Sequence, residues 1–357
     1  MKMIPITIEK STHLKAKPDV NTLGFGKYFT DHMLTAKFTT QKGWFDAGIR
    51  PYKPFEIDPG ASVLHYGQAL FEGMKAFRQK NGKIVLFRPE FNWKRMVAGA
   101  DRLCMEAPPE DLFLNGIKEL VKIDKDWIPE QPGSLYIRPT LIGTEAFLGV
   151  RPSEEILFFA ILSPVSSYYA EGASAINIWV ETEYLRAAPG GLGATKAGAN
   201  YASSLKAALE AKKKGYAQVL WLDYSREHIE EVGTMNVFFV FENEIVTPSL
   251  DGTILSGGVR RSVIDLLKSW NLPIVERKLK ISEVIAAKNK GTLKEAFGTG
   301  TAAVITPIQE LASKDWKIKL STNGQKGELS QRIYDELVGI QYGHIEDKLG
   351  WLQTLEI

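Results

Sequence analysis

Hydrophobic and polar residues follow two different periods along this chain, and the two periods predict a mixture of strands and helices. Helical spacing of apolar residues predicts one helix that begins at Pro89 and four more at 111–123, 200–214, 259–270 and 329–340. Short apolar runs bounded by turn residues predict strands at 33–39, 54–57, 83–87, 134–139, 156–162, 175–180, 217–222, 235–241, 293–297 and 302–306. This order indicates an α/β chain of mixed α+β character rather than a doubly wound sheet.

A change of composition near the middle of the chain predicts two domains. Residues 163–174 are rich in Ser, Pro, Tyr and Gly, and 357 residues are enough for two buried cores. We therefore predict an N-terminal α/β domain at 1–162, a linker at 163–174 and a C-terminal domain at 175–357. Residues 44–48 have turn composition and predict a turn between the first two strands.

Charge and cysteine content narrow the classes of function. Lys and Arg number 44 against 42 Asp and Glu, and a net charge of +2 gives no reason to expect nucleic acid or an anionic membrane as partner. The single cysteine, Cys104, excludes an intrachain disulfide and a multi-cysteine metal site, and we predict no metal. The N-terminus lacks the apolar run of a signal peptide, and no apolar stretch reaches about eighteen residues. A cytoplasmic protein is the expectation.

The stretch 188–205 concentrates glycine around one lysine, Lys196, and leads into a predicted helix. A tight glycine loop before a helix would hold the amine in place, which suits a catalytic lysine. A solvated surface lysine is the alternative. A phosphate-binding loop of the P-loop type does not fit, because Thr195 precedes the lysine and Ala197, rather than Ser or Thr, follows it.

Three further motifs indicate what the lysine could serve. Glu231 stands at the start of an apolar strand, where its carboxylate would face a cleft; a solvated charge beside Glu230 is the alternative. Residues 255–259 enter a helix through two glycines, so their backbone N–H groups can bind an anion. Residues 297–303 place two threonines in another glycine loop. A lysine for a Schiff base, a carboxylate for a pyridine nitrogen and an anion cradle together fit pyridoxal phosphate.

The sequence resembles the fold-type IV pyridoxal-phosphate aminotransferases, and within them the branched-chain amino-acid aminotransferases. The resemblance extends from about Phe25 to Leu352. It is carried by Leu64-His-Tyr-Gly with Phe71-Glu-Gly-Met-Lys-Ala-Phe-Arg, Leu86-Phe-Arg-Pro, Leu135-Tyr-Ile-Arg-Pro, the Lys196 loop with Asn200-Tyr201, and Glu231-Val-Gly-Thr-Met-Asn. It implies a two-domain architecture with the cofactor between the domains.

The resemblance also implies roles for individual residues. Lys196 would be the Schiff-base lysine, Glu231 the contact of the pyridine nitrogen, and Tyr201 the hydrogen-bond donor to the phenolic oxygen. The implied phosphate ligands are Arg88, Gly257, Gly258, Val259 and Thr301. The implied substrate residues are Tyr66, Phe71, Tyr136 and Tyr168 in the apolar pocket, Arg138 for glutamate, Thr234 and the N–H of Ala302 for the substrate carboxylate, and Leu148 and Val150, which would complete the pocket of a neighbouring subunit.

The implied activity is reversible transfer of an amino group between leucine, isoleucine or valine and 2-oxoglutarate by a ping-pong mechanism. We expect broad specificity among the three amino acids, because one methylene is worth roughly 1–3 kcal/mol. The apolar loop at 143–151 predicts a homodimer. A D-amino-acid aminotransferase or an aminodeoxychorismate lyase would share the fold and the lysine, although the Tyr136–Arg138 motif argues against both. A phosphate-ester binding protein would keep the glycine loops without needing Lys196. The preferred substrate, and a biosynthetic or catabolic role, are left open.

Overall fold

The computed structural model describes residues 4–166, 175–320 and 324–356 of the chain. Its strands are β1 (Thr7–Ile8), β2 (His32–Thr39), β3 (Gly43–Pro51), β4 (Ala69–Phe71), β5 (Met74–Arg78), β6 (Ile84–Phe87), β7 (Ser134–Gly143), β8 (Glu155–Val165), β9 (Ile176–Val180), β10 (Gln218–Leu222), β11 (Ile229–Val232), β12 (Asn236–Phe241), β13 (Ile245–Thr247), β14 (Ile274–Glu276), β15 (Leu293–Gly300), β16 (Val304–Ala312), β17 (Lys317–Lys319) and β18 (Leu352–Leu355). Its α-helices are α1 (Ser62–Tyr66), α2 (Pro89–Arg102), α3 (Glu110–Ile123), α4 (Gly198–Lys213), α5 (Gly258–Ser269), α6 (Ile281–Asn289) and α7 (Glu328–Tyr342).

The chain divides into two compact units. The first unit takes in Met1–Tyr168, Thr195–Ala199 and Gly339–Ile357, and the second takes in Tyr169–Ala194 and Asn200–Val338. Lys196 therefore belongs to the first unit. The domain limits expected from the sequence stay a prediction, and residues 167–174 of the expected linker lie outside the described residues.

One mixed sheet organises the described residues of the first unit, with strand order β1-β3-β2-β8-β7-β5-β6-β18 and β4 beside β7. Only β1 pairs in parallel, with β3; the remaining pairs of this sheet are antiparallel. The β7–β8 ladder runs from Ser134 opposite Val165 to Gly143 opposite Ile156. Both strands of this pair are buried at most positions, and among the residues of β7 only Arg138 and Thr140 are partly exposed.

The core of the first unit lies where α3 packs against this sheet. Leu112, Phe113, Ile117 and Leu120 recur at helical spacing, are buried, and join sheet residues such as Leu34 in one apolar cluster. Acidic residues fill the first turn of α3, where the helix dipole favours negative charge. Burial of this stripe against the sheet keeps the opposite face of the sheet available for polar chemistry.

A second mixed sheet organises the second unit, in the order β11-β10-β9-β16-β15-β12-β13-β14, with β17 beside β16. β9 runs parallel to both β10 and β16, and β13 runs parallel to β14. Helix α5 packs against this unit's β15 and buries an apolar face that includes Val263 and Leu267. The mixed α/β class expected from the sequence is confirmed.

Three of the expected elements differ from the observed ones. Residues 54–57 form no strand, because Pro54 lacks the N–H that a ladder needs. Residues 44–48 lie inside β3 rather than in a turn; the register of β2 against β3 shifts between Thr35 and Lys37, and Asp46 has a φ of 53°. The shifted register and the positive φ mark a β-bulge. Bulges are rich in the same polar residues and glycines as turns, so the composition of 44–48 suggested a turn. The strand expected at 302–306 begins only at Val304.

Candidate active site

The backbone of Lys196 is paired with the sheet of the first unit. Its carbonyl accepts a hydrogen bond from the amide of Phe71 at 3.2 Å, and the next residue, Ala197, pairs with Leu70. The Nζ of Lys196 lies 4.8 Å from the centre of the Phe71 ring. This half-buried amine is therefore fixed at both its backbone and its tip.

Arg138 contacts the same aromatic ring. Its guanidinium carbon lies 4.6 Å from the centre of the Phe71 ring, and Nη2 donates to the Tyr136 hydroxyl at 2.9 Å. The buried Nε of Arg138 has no hydrogen-bond partner among the described residues. A Cβ on Gly73 would lie 2.1 Å from the Tyr136 hydroxyl, so only glycine leaves room for the tyrosine there. The fold thus brings Lys196, Phe71, Tyr136 and Arg138 together.

Lys75 joins this group and was missed in the sequence. It lies directly opposite Tyr136 in the β5–β7 register, and its neighbours Met74 and Ala76 belong to the apolar core cluster, so Lys75 faces the other side of the sheet. Its side chain is buried, and burial lowers its pKa to about 8. The only signal in the sequence was a lysine within an otherwise apolar strand.

Arg88 occupies a strained position at the start of α2. Its φ of 51° lies in the left-handed region, which costs a non-glycine residue roughly 1–3 kcal/mol. Its amide donates to the carbonyl of Trp351 at 2.8 Å, and its guanidinium carbon lies 5.5 Å from the centre of the Trp351 ring. These contacts hold Arg88 in its strained backbone conformation, and residues with such strain cluster at functional sites.

Tyr66, Leu148 and Val150 form an exposed group in the first unit. The Tyr66 hydroxyl donates to the carbonyl of Leu148, and Val150 is 87% exposed. Phe147, between these residues, is also exposed and packs under the guanidinium of Arg151. Tyr66 therefore contacts the loop of its own chain.

A cleft in the second unit collects a second group of the expected residues. Tyr201, Glu231 and Thr234 line it together with four residues that the sequence had not singled out for the site: Arg186, Asn200, Ser204 and Gly233. Nothing in the sequence distinguishes Arg186 from other arginines, because two of its three partners, Glu231 and Thr253, lie far along the chain. The cleft is therefore assembled by tertiary structure rather than by a local motif.

The carboxylate of Glu231 is buried and paired. Its Oε1 accepts a hydrogen bond from the amide of Leu255 at 2.8 Å and lies 3.3 Å from Nη2 of Arg186. Glu230, the next residue back, lines a different cleft beside Asp251, and its Oε2 has no partner among the described residues. Burial raises the pKa of Glu230 to about 7. The two adjacent carboxylates thus have different surroundings.

The N-terminus of α5 continues from the same loop. Asn236 donates from its side chain to the carbonyl of Leu255 at 2.8 Å, and a Cβ on Gly257 would lie 2.1 Å from Oδ1 of Asn236. Glycine is therefore required at 257, and the first turn of α5, which includes Gly258 and Val259, carries no acidic residue. Free amide groups at a helix N-terminus form a site for an anion such as phosphate.

Thr301 and Ala302 lie in the turn between β15 and β16. The strands pair through Gly300 and Val304, and Val304 has a φ of 60°, which is unusual for a β-branched residue. The hydroxyl of Thr299, two positions before the turn, is buried with no partner among the described residues. Tyr168 lies outside the described residues.

Two other kinds of site are absent from the described residues. Three or more His, Cys, Asp or Glu side chains nowhere converge as a metal site within 4–166, 175–320 and 324–356. In the same part of the chain, no helix has the length and apolar character needed to cross a membrane.

Comparison with known proteins places these sites in context. Residues 69–311 match the family described as amino-transferase class IV. Over 348 residues, the chain is 51% identical to the branched-chain-amino-acid aminotransferase 2 of Bacillus subtilis (strain 168), an alignment that covers 97% of this chain and 96% of the relative.

Solved structures show the same similarity. The branched-chain amino acid aminotransferase of Escherichia coli aligns with a TM-score of 0.75 at 25% identity, covering 91% of this chain and 99% of that one. The branched-chain amino acid aminotransferase of Thermobaculum terrenum, solved in its PLP form, aligns with a TM-score of 0.72 at 22% identity over 92% of this chain and 99% of that one, and this second likeness concerns the fold.

Proposed function

The chain belongs to the amino-transferase class IV family, and from this premise we propose that it is a branched-chain-amino-acid aminotransferase of fold type IV. It exchanges the amino group between leucine, isoleucine or valine and 2-oxoglutarate in two successive half-reactions. The observation that carries the proposal is the Phe71 ring, which both the Lys196 amine and the Arg138 guanidinium contact. The amine can move a proton, and the guanidinium can bind the second carboxylate of glutamate.

The cofactor in this proposal is pyridoxal phosphate, and the donor groups of the chain fit it. The buried Glu231 carboxylate, paired with Arg186, suits a protonated ring nitrogen. The glycine start of α5, where Gly257 packs against Asn236, suits a phosphate. When bound, this cofactor supplies an electron-withdrawing ring that makes the Cα–H bond of an amino acid acidic.

Each residue has one task in this arrangement. Lys196 would hold the cofactor, and its Nζ is the base that would take the proton from the substrate Cα. Glu231 would keep a proton on the ring nitrogen, and the Tyr201 hydroxyl would donate to the phenolic oxygen. Arg88, Gly257, Gly258, Val259 and Thr301 would bind the phosphate.

The substrate side of the site must accept both an apolar side chain and a carboxylate. Tyr66, Phe71 and Tyr136, with Tyr168 as expected from the sequence, would form the apolar walls, and Thr234 with the N–H of Ala302 would bind the α-carboxylate. Arg138 meets the second demand. Its bond to the Tyr136 hydroxyl satisfies part of the guanidinium when leucine is bound, which limits the penalty for an unpaired charge.

A homodimer completes the proposal. Phe147, Leu148 and Val150 are exposed at the tip of one loop, and an apolar tip of this kind suits a contact with a second copy of the chain. Leu148 and Val150 would then close the substrate pocket of the neighbouring subunit. The cytoplasmic location stays a prediction from the sequence.

The proposal is tested with the purified protein supplied with pyridoxal phosphate. Leucine, isoleucine and valine are assayed with 2-oxoglutarate as acceptor, with D-alanine and 4-amino-4-deoxychorismate as comparison substrates. We expect transamination of all three branched-chain amino acids, with rates that differ by no more than roughly 10–200-fold, the range that one methylene allows. Activity on D-alanine or on the chorismate derivative alone would replace the proposal with one of those enzymes. Binding of pyridoxal phosphate without turnover of any substrate would indicate a binding protein.

A further inference from the structure

Arg186 connects three segments of the second unit through one side chain. It lies between β9 and the glycine loop, and Nη2 donates to the carbonyl of Gly193 at 3.0 Å and to the carbonyl of Thr253. The same nitrogen lies 3.3 Å from Oε1 of Glu231 on β11. Only 9% of the Arg186 side chain and 4% of the Glu231 side chain are exposed. The buried guanidinium therefore links the glycine loop, the Thr253 segment and β11.

The first consequence concerns the charge of Glu231. A buried carboxylate loses hydration, and a cation within hydrogen-bond reach is what favours its ionised form. Arg186 supplies this cation, and the amide of Leu255 supplies a hydrogen bond at 2.8 Å. Glu230 shows the contrast. Its carboxyl is equally buried, but Arg186 acts on it only as a nearby charge, its Oε2 has no hydrogen-bond partner among the described residues, and burial raises its pKa.

The second consequence concerns the glycine loop. A Cβ on Gly193 would lie 2.2 Å from the carbonyl oxygen of Thr253, so the two backbones are in direct contact. Arg186 bonds to both of these residues, and the Asn200 side chain donates to the neighbouring carbonyl of Leu192 at 2.6 Å. The loop that is fixed in this way continues, three residues later, into Lys196.

We propose that Arg186 is a positioning residue for the cofactor site: it keeps Glu231 ionised and aligned, and it fixes the glycine loop that precedes Lys196. This inference rests on the proposed function. Arg186 touches neither substrate nor cofactor in it, and acts through the carboxylate and through the loop.

Two substitutions separate the two tasks of Arg186. Arg186→Met removes the charge and all the hydrogen bonds, whereas Arg186→Lys keeps a charge near Glu231 but cannot reach several acceptors at once. The matched control is Arg226→Met, because Arg226 also donates to two backbone carbonyls, those of Glu183 and Tyr184, and does so away from Glu231. All variants are first compared with the wild type in their thermal unfolding midpoints.

The main readout is the dissociation constant of pyridoxal phosphate from the apoprotein, measured by quenching of tryptophan fluorescence. We expect Arg186→Met to weaken binding roughly tenfold or more, as loss of hydrogen bonds to a charged group implies. Arg186→Lys should weaken binding less, and Arg226→Met should leave it unchanged. The pH midpoint of the near-visible absorbance band of the holoenzyme should shift in Arg186→Met only. If Arg186→Met does not fold, Arg186→Lys alone decides: a dissociation constant equal to that of the wild type would overturn the inference.

A double-mutant cycle tests whether Arg186 acts through Glu231. In a Glu231→Gln background, Arg186→Met should have a smaller effect on cofactor affinity than in the wild type, because the carboxylate is already gone and only the contacts to the Gly193 and Thr253 carbonyls remain to be lost. Effects that simply multiply would overturn the inference. A wild-type chain that binds no pyridoxal phosphate, or a Glu231→Gln variant with an unchanged absorbance band, would instead count against the proposed function. If Glu231→Gln changes the absorbance band while Arg186→Met leaves the dissociation constant and the pH midpoint unchanged, only the role of Arg186 is removed.

Discussion

The Tyr136 hydroxyl accepts a hydrogen bond from the Arg138 guanidinium at 2.9 Å, two positions along the same strand. Both side chains project from one face of β7 because residues two apart in a strand share a face. The guanidinium also lies over the Phe71 ring, and its buried Nε has no partner among the described residues. Because the Tyr136 hydroxyl accepts one of its hydrogen bonds, Arg138 can lie beside an apolar ligand without being wholly unpaired, and it keeps other N–H groups that can bind a carboxylate.

Replacement of Arg138 by Met should separate the two half-reactions. The glutamate half-reaction should lose about 1.5–3 kcal/mol of transition-state stabilisation, the usual worth of a hydrogen bond to a charged group. The leucine half-reaction should change much less, because an apolar side chain makes no such bond. Stopped-flow measurement of each half-reaction distinguishes these outcomes. Equal losses in both would mean that Arg138 supports only the fold.

Lys196→Ala should eliminate transamination. Loss of proton transfer alone accounts for roughly 10²–10⁴-fold, and loss of the covalent attachment adds to it. Steady-state assays compare this variant with Lys206→Ala, whose amine pairs with Glu210 on the surface of α4. Activity of Lys196→Ala close to that of the control would contradict the assignment of the lysine.

Glu231→Gln keeps the size of the side chain and removes its charge. We expect kcat to fall roughly 10²-fold, the scale found when one preorganised electrostatic contact is removed from an active site. Cofactor content should remain measurable. Glu230→Gln is the control, since Glu230 lines the other cleft, and it should stay within a few-fold of the wild type. The reverse ranking would transfer the role to Glu230.

The stability of the protein should depend on pH through Glu230. Burial raises the pKa of this carboxyl from 4.5 to about 7, so between these values the folded state keeps a proton that the unfolded state has lost. The free energy of unfolding should therefore fall as pH rises from about 4.5 to 7. Urea unfolding at several pH values measures this slope, and Glu230→Gln should reduce it. The nearby Asp223, His228, Asp251 and Lys278 are unchanged in this comparison. Identical slopes in both proteins would exclude the contribution.

The loop that carries Val150 should form the dimer contact. A charge placed there, as in Val150→Asp, would be buried without a partner in the assembly and should favour dissociation. Sedimentation velocity across a range of concentrations compares the variant with the wild type. A wild-type chain that is monomeric and fully active at assay concentration would exclude the homodimer.

Local chemistry let the sequence predict much of this protein on its own. The glycine loop around Lys196 and the two glycines at the start of α5 were visible because glycine is demanded where backbones turn or approach closely, and Gly257 proves to pack against Asn236. Apolar periodicity located α3 and the long strands β7 and β8, since their faces are buried along their whole length. The mixed α/β class followed from that order of elements.

Tertiary structure decided what local patterns leave open. Residues 44–48 became part of β3 because a neighbouring strand accepted a bulge, and 54–57 did not become a strand because no neighbour paired with it. Glu230 and Glu231 are adjacent in sequence, yet strand alternation and the position of Arg186 gave them different surroundings. The surroundings of Arg186 depend on Glu231, 45 residues further along the chain. Those of Lys75 depend on Tyr136, which lies opposite it in the register of β5 and β7. Such contacts depend on burial and on long-range pairing, which no local window of sequence contains.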